Sequence, residues 1–224
     1  MFFTRSYSEA NDARRLDPEY FQPKYYRLEK SLKQCGYELS PLTTLIEPIH
    51  NGFDFRQFCS KGVPYLRVGD IANGLINLDG AERIPIAIES IKKNITLQPG
   101  DILFTRKGTF GSAAVVRPGQ ELAVISSEVM LLRVTDRRIL PDYLAIYLNS
   151  PLGYQQVERR VHGVAFYSIS QPSLAQTVVV RVPLSLQQKV QQWVQESFAA
   201  SVESKDLLEQ AKREVEQAVM SGGK

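Results

Sequence analysis

The chain has 224 residues, 43% hydrophobic and 23% charged, which is enough for one sizeable domain with an appendage and too apolar for a disordered chain. Cys35 and Cys59 are the only cysteines, so a disulfide scaffold and a zinc site built on CxxC pairs are excluded. The net charge of +3 decides little alone, but the excess of Lys and Arg sits in the middle of the chain and the tail after Leu186 is balanced, as expected if the middle meets nucleic acid.

The start, MFFTRSYSEANDARR, lacks the apolar stretch and small-residue cleavage site of a signal peptide. No apolar run approaches the ~20 residues of a membrane helix. The expected setting is therefore soluble, reducing and cytoplasmic, with no membrane partner. Residues 1–37 read as a lead-in: Leu16–Gln34 opens with Asp-Pro, then turns helical with Tyr25, Leu28 and Leu32 on one face, and Cys35-Gly36 stops it.

Residues 38–183 read as one α+β domain. Strand-like runs occur at Val63–Ile71, Asp101–Thr105, Ser112–Val116, Leu122–Ile125 and Val129–Val134. Turn signals such as Asn73-Gly74, Pro99-Gly100 and Pro118-Gly119 fall among them, which predicts a curved, antiparallel-rich sheet and not a regular βαβ alternation. Two short helices follow, Pro141–Asn149 and Leu152–Val161, with Ser150-Pro151 as cap and first-turn proline of the second. Tyr143, Tyr147 and Tyr154 recur at helical spacing and are expected in the core or at a subunit contact. Ser170 reads either as part of a base-reaching loop or as the cap of the next turn.

Residues 184–224 carry the clearest periodic signal. Ser185 and Gln188 are spaced as a capping box. A seam of Gln187, Val190, Val194, Ser197, Ser201, Ser204, Leu208, Ala211, Val215 and Ala218 then alternates by three and four, flanked by Leu186, Trp193, Ala200 and Leu207. No Gly or Pro interrupts Leu184 to Met220, so one coiled-coil-type helix of about 50 Å is predicted at about 1.5 Å per residue. Such a helix needs a partner surface: its own domain reaches a few turns, and a second helix, between chains, covers the rest. Val190, Trp193, Val194, Ser201, Leu208, Ala211 and Val215 are the expected dimerisation residues, with Trp193 packed against a helix or against a partner subunit and not exposed.

Signatures of catalysis are missing. The chain has no GxxxxGK[ST] loop, no Pro-Pro for the tetrad of amino-methyltransferases, and no HExxH or HxxxH spacing for His50 and His162. Pro141-Asp142 with Glu203-Ser204-Lys205 formally matches a nuclease metal motif, but one half starts a short helix and the other lies midway along the long one. A stand-alone metal-dependent nuclease is thus the second reading, and a scaffold that assembles partners without reading DNA is the third.

Gly100–Gly111 (GDILFTRKGTFG), Val124–Val134 (VISSEVMLLRV), Pro141–Val161, His162–Leu174 (HGVAFYSISQPSL) and Val182–Val190 together resemble the specificity subunit of type I restriction-modification systems. Leu16–Tyr26 (LDPEYFQPKYY) resembles the lead-in to that family's recognition domains. The resemblance implies a target recognition domain followed by a spacer helix, and no catalysis or cofactor in this chain. It also implies partner modification subunits that methylate adenine with S-adenosylmethionine, and a restriction subunit that cleaves. Family members carry two such units in tandem with their helices antiparallel, whereas GDILFTRKG occurs once here. A homodimer reading an interrupted palindrome of double-stranded DNA is the implied arrangement.

Within it, Arg106, Lys107 and Thr109 lead into a glycine turn that can meet phosphate or a guanine edge. Arg159, Arg160 and His162 close a helix and serve either its dipole or DNA. Tyr167 and Ser168 follow in a polar loop that can reach bases. Lys61 and Arg67 are phosphate candidates or surface charges.

Overall fold

The computed structural model describes residues 4, 6–87, 90–163 and 167–221. The chain opens with helix α1 (Tyr7–Ala13), which Ser6 and Glu9 cap reciprocally, and helix α2 (Pro23–Gln34). Strands β1 (Glu38–Pro41), β2 (His50–Asn51), β3 (Val63–Leu66), β4 (Ile71–Ala72), β5 (Leu75–Ile76) and β6 (Glu82–Ile84) follow. After them come β7 (Ile102–Thr105), β8 (Ala113–Val115), β9 (Val124–Ile125) and β10 (Val129–Leu132). Helices α3 (Pro141–Asn149), α4 (Pro151–Glu158) and α5 (Gln171–Ala175), strand β11 (Val178–Arg181) and the 38-residue helix α6 (Leu184–Ser221) complete the order.

The central sheet runs β2-β10-β7-β8 with every pair antiparallel. Its side chains alternate between two cores. Ile102, Phe104, Ala113, Val115, Met130 and Leu132 join Leu28 and Leu32 of α2 and Leu144 and Leu148 of α3, whereas Leu103, Ala114, Val129 and Leu131 face Leu66, Ile71 and Ile76. Both faces are covered, which is why these strands read as unbroken apolar runs and not as alternating ones. Phe104 is completely buried, and truncating it to alanine removes packing worth about 3–5 kcal/mol.

A smaller sheet, β6-β3-β9, contains the one parallel pair among the described strands: Tyr65 lies opposite Val124. The chain between β3 and β9 passes through β7 and β8 in the central sheet, a crossover long enough for parallel pairing. β1 and β11 pair antiparallel, Glu38 with Arg181 and Pro41 with Val178, and tie the beginning of the body to its end.

Several local expectations need correction. The run Val63–Ile71 breaks at Arg67, because the buried Asp70 carboxylate accepts the Arg67 N–H at 2.8 Å and folds Val68–Asp70 into a 3-10 turn. Leu122 likewise belongs to a 3-10 turn over Gln120–Leu122, where Gln120 accepts the Arg117 N–H at 2.9 Å. The hydroxyl of Ser150 donates to the Tyr147 carbonyl at 2.7 Å and does not cap α4, although Ser170 does cap α5 by accepting from Ser173 N. Ser185 is no cap either, since α6 already begins at Leu184.

What anchors α6 is Gln187, fully buried one turn later. Its amide oxygen accepts the Leu140 N–H at 2.9 Å, and its nitrogen donates to the carbonyls of Arg138 and Val182, each at 2.9 Å. Val190, Gln191, Val194, Phe198 and Ser201 continue the covered face, and from Val202 onwards the helix is exposed. Val190, Val194 and Ser201 are therefore corrected from a seam facing a second copy to a half-buried face against the chain's own body. Leu208, Ala211 and Val215 are exposed, and Trp193 is 58% exposed. Among the described residues no helix is long and apolar enough to cross a membrane.

Candidate nucleic-acid interface

The β7–β8 turn, the β9–β10 junction and the segments around residues 52–54 and 162–170 gather at one end of the central sheet. In the turn, Gly108 (φ +68°) and Gly111 (φ +91°) adopt left-handed backbone, and a Cβ on Gly111 would stand 3.0 Å from the Tyr154 ring. Phe110 between them stacks on Tyr154 at 5.7 Å and meets Tyr167 edge-on at 6.2 Å. Tyr143 and Tyr147 are core residues, donating their hydroxyls to the Val180 and Val178 carbonyls, but Tyr154 is a surface residue that supports this turn.

His162 and Ser168 exchange two backbone hydrogen bonds of 2.8 Å, the neck of a loop whose residues 164–166 lie outside the described residues. Gly108 N donates to the Tyr167 carbonyl at 3.2 Å and Ile169 N to the Arg106 carbonyl at 2.9 Å. Lys107, Thr109, His162, Tyr167 and Ser168 are thus brought together. Lys107, Thr109, His162 and Tyr167 are exposed. Lys107 Nζ lies 3.3 Å from Glu128, an exposed pair that screening keeps weak and that an incoming phosphate can replace.

Arg106 behaves differently. Its guanidinium is half-buried and donates to the carbonyls of Ile169 at 3.3 Å and Ser127 at 3.4 Å, so it ties the three loops together and is not free for a base edge. Arg159 is also engaged internally. Its Nε donates to the Tyr20 carbonyl at 3.0 Å, its Nη1 pairs with Glu29, and the group lies over the rings of Tyr20 and Tyr26. Arg160 donates to the Gln156 carbonyl at 2.7 Å in the crevice between α2 and α4, where burial lowers its pKa.

Lys61 and Arg67 stand on the smaller sheet. Both are exposed, with Arg67 at 5.5 Å over the Phe58 ring and 3.6 Å from Glu82. The segment beside them puts Arg56, Gln57 and Phe58 on the surface, residues that periodicity did not single out. The sign that could have found them is an aromatic and a cation in a stretch with no strand or helix pattern, between Asp54 and Gly62. Segment 53–55 joins this region to the loop end, because Asp54 accepts the Ser127 hydroxyl and Tyr65 donates to the Phe53 carbonyl at 2.6 Å.

The residues of the nuclease-like motif have structural partners. Asp142 is buried, paired with Arg117 and hydrogen-bonded by Gln191 of α6 at 3.1 Å. Glu203 and Ser204 are exposed on α6, and Lys205 lies 3.7 Å from Asp79. Among the described residues no group of three or more His, Cys, Asp or Glu could hold a metal ion.

No protein-family model and no curated protein matches the chain. Solved structures do. A chain from a structure of complex assembly and conformational transition in the type I R-M system superposes with TM-score 0.53 at 19% identity, over 96% of this chain and 55% of its own. The HsdS subunit from Thermoanaerobacter tengcongensis gives TM-score 0.52 at 17% identity, over 83% of this chain and 48% of its own. The fold, an α+β body followed by a long helix, is that of type I restriction-modification specificity subunits. The chain spans about half the length of these solved chains.

Proposed function

We propose that the chain is a DNA specificity subunit of a type I restriction-modification complex, working as a two-fold homodimer that reads an interrupted palindrome. The observation that carries this reading is the second apolar face of α6. Leu186, Trp193, Ala200 and Leu207 are all exposed and run about a third of a turn round from the face packed on the body. One helix with one apolar face covered and the other bare has a place for a second helix. The fold shared with specificity subunits agrees with a second helix filling that place.

In this assembly each body reads one half-site. Lys107, Thr109, His162, Tyr167 and Ser168 meet the duplex from the loop end, with Lys61 and Arg67 on adjacent backbone. The chain itself performs no chemistry. Modification subunits carrying S-adenosylmethionine methylate an adenine that has been turned out of the stack, so the bodies also hold deformed DNA by its phosphates. A restriction subunit supplies cleavage.

The test combines the purified chain with a type I modification subunit, S-adenosylmethionine and a randomised duplex pool, followed by sequencing of methylated products. Methylation confined to an interrupted palindrome is expected, together with a solution mass twice the 25.3 kDa of one chain. Methylation with no sequence preference supports a scaffold instead, and cleavage by the chain alone overturns the reading.

A further inference from the structure

The segment 15–29 reaches the loop end through contacts that fall on one short stretch, residues 158–162, with two arginines prominent among them. Arg159 stands at the C-terminal cap of α4, three residues before the neck formed by His162 and Ser168. It is held by Tyr20, Tyr26 and Glu29, and its neighbour Glu158 accepts from Lys24 at 2.6 Å and from the Tyr25 hydroxyl at 3.1 Å. Arg15 reaches the neck directly, with Nη1 3.2 Å from the His162 ring, while Asp17 fixes the same guanidinium at 2.5 and 2.7 Å. From the neck the contacts continue through Ser168 and Ile169 to the turn that carries Lys107.

We propose that Arg159 and Arg15 are positioning residues: through them the segment 15–29 seats the His162–Ser168 neck, and with it Tyr167 and the Lys107 turn, in the geometry that recognises DNA. This rests on the DNA-reading function proposed above. The two arginines act through other residues and do not touch DNA. Their planar forks, each gripping two or more partners at once, are what the role requires, and a lysine carries the charge without the fork.

The test uses the full chain and the variants R159K, R159M and R15M. Hydrogen exchange without DNA reads the neck. All three variants should speed exchange at the amides of His162, Ser168, Ile169 and Gly108 by about tenfold or more, with the amides of β7 and β10 unchanged. Binding is then measured to a duplex that the wild-type chain enriches from a randomised pool, and to a scrambled duplex of equal length. R159K and R159M should both lose about tenfold in preference for the enriched duplex while the salt dependence keeps its slope. The proposal is overturned if R159K matches the wild type and R159M alone loses about one unit of salt slope, which marks Arg159 as a direct phosphate contact. It is equally overturned if exchange at the neck does not change, or if exchange rises and duplex preference stays intact. Should the wild type enrich no duplex, the DNA-reading function fails, and the exchange result still decides the mechanical coupling.

Discussion

Replacing Gln187 with methionine isolates what fixes the direction of α6. Methionine keeps the length and bulk of the side chain and removes both polar ends, leaving the Leu140 N–H and the carbonyls of Arg138 and Val182 without the partner each now has at 2.9 Å. Three hydrogen bonds at roughly 0.5–1.5 kcal/mol each put the loss at about 3 kcal/mol, before any penalty for leaving the Leu140 donor unsatisfied. With a urea dependence of about 3 kcal/mol per molar, the unfolding midpoint should fall by about 1 M. The measurement is urea unfolding followed by far-ultraviolet circular dichroism, with wild type and variant at one protein concentration because self-association shifts apparent stability. A midpoint change below about 0.3 M refutes the anchoring role. The helix would then be held by its apolar contacts alone.

Three further outcomes are expected. Glu128→Gln should tighten DNA binding by releasing Lys107, whereas Lys107→Ala should weaken binding and make its salt dependence shallower by about one unit, both read by titrating labelled duplex at several salt concentrations. Gly111→Ala should lower the melting temperature by roughly 5 °C, since φ of +91° strains an L residue and the new Cβ meets the Tyr154 ring; an unchanged melting curve would contradict the turn geometry. Asp136 is held at a pKa of about 2, first by the hydrogen bonds it accepts from the Arg138 side chain and backbone, then by the charge of Arg181. Because its folded value lies below the unfolded value of about 3.9, it stabilises the fold above about pH 4, and that contribution disappears as pH falls through about 2. Asp136→Asn should lower the melting temperature near neutrality and flatten its decline between about pH 4 and pH 2.

Much of the body was legible because burial on both faces leaves a plain mark: ILFT, AAV and VMLL have no polar position except where a strand ends, and all became central strands. The glycine turn at 108–111 was legible because left-handed backbone restricts the residue type. The role of Arg159 was not. A cation at a helix end looks like a dipole partner or a phosphate contact, and the residues that actually bind it, Tyr20 and Glu29, lie 139 and 130 positions away. Nor could the seam of α6 reveal its own partner. Val190 and Val215 share one heptad pattern, yet the first rests on the body and the second is bare, because the body reaches only to about Ser201. Ser185 misled for a related reason: the helix already begins at Leu184 and is held by a buried glutamine that contacts the α3 approach.

The pairing of β1 with β11 brings the chain into the body and out of it at one place, in register from Glu38–Arg181 to Pro41–Val178. Everything between these strands is, in topological terms, an insertion carried on a two-stranded stem. The stem alone does not place α6, because Gln187 bonds to Leu140 and Arg138 within that insertion, and Leu28 and Leu32 of α2 pack in its core. The direction of the long helix is therefore a property of the insertion as much as of the stem, and an exchange that kept the stem would have to keep the amide and carbonyl partners of Gln187 as well.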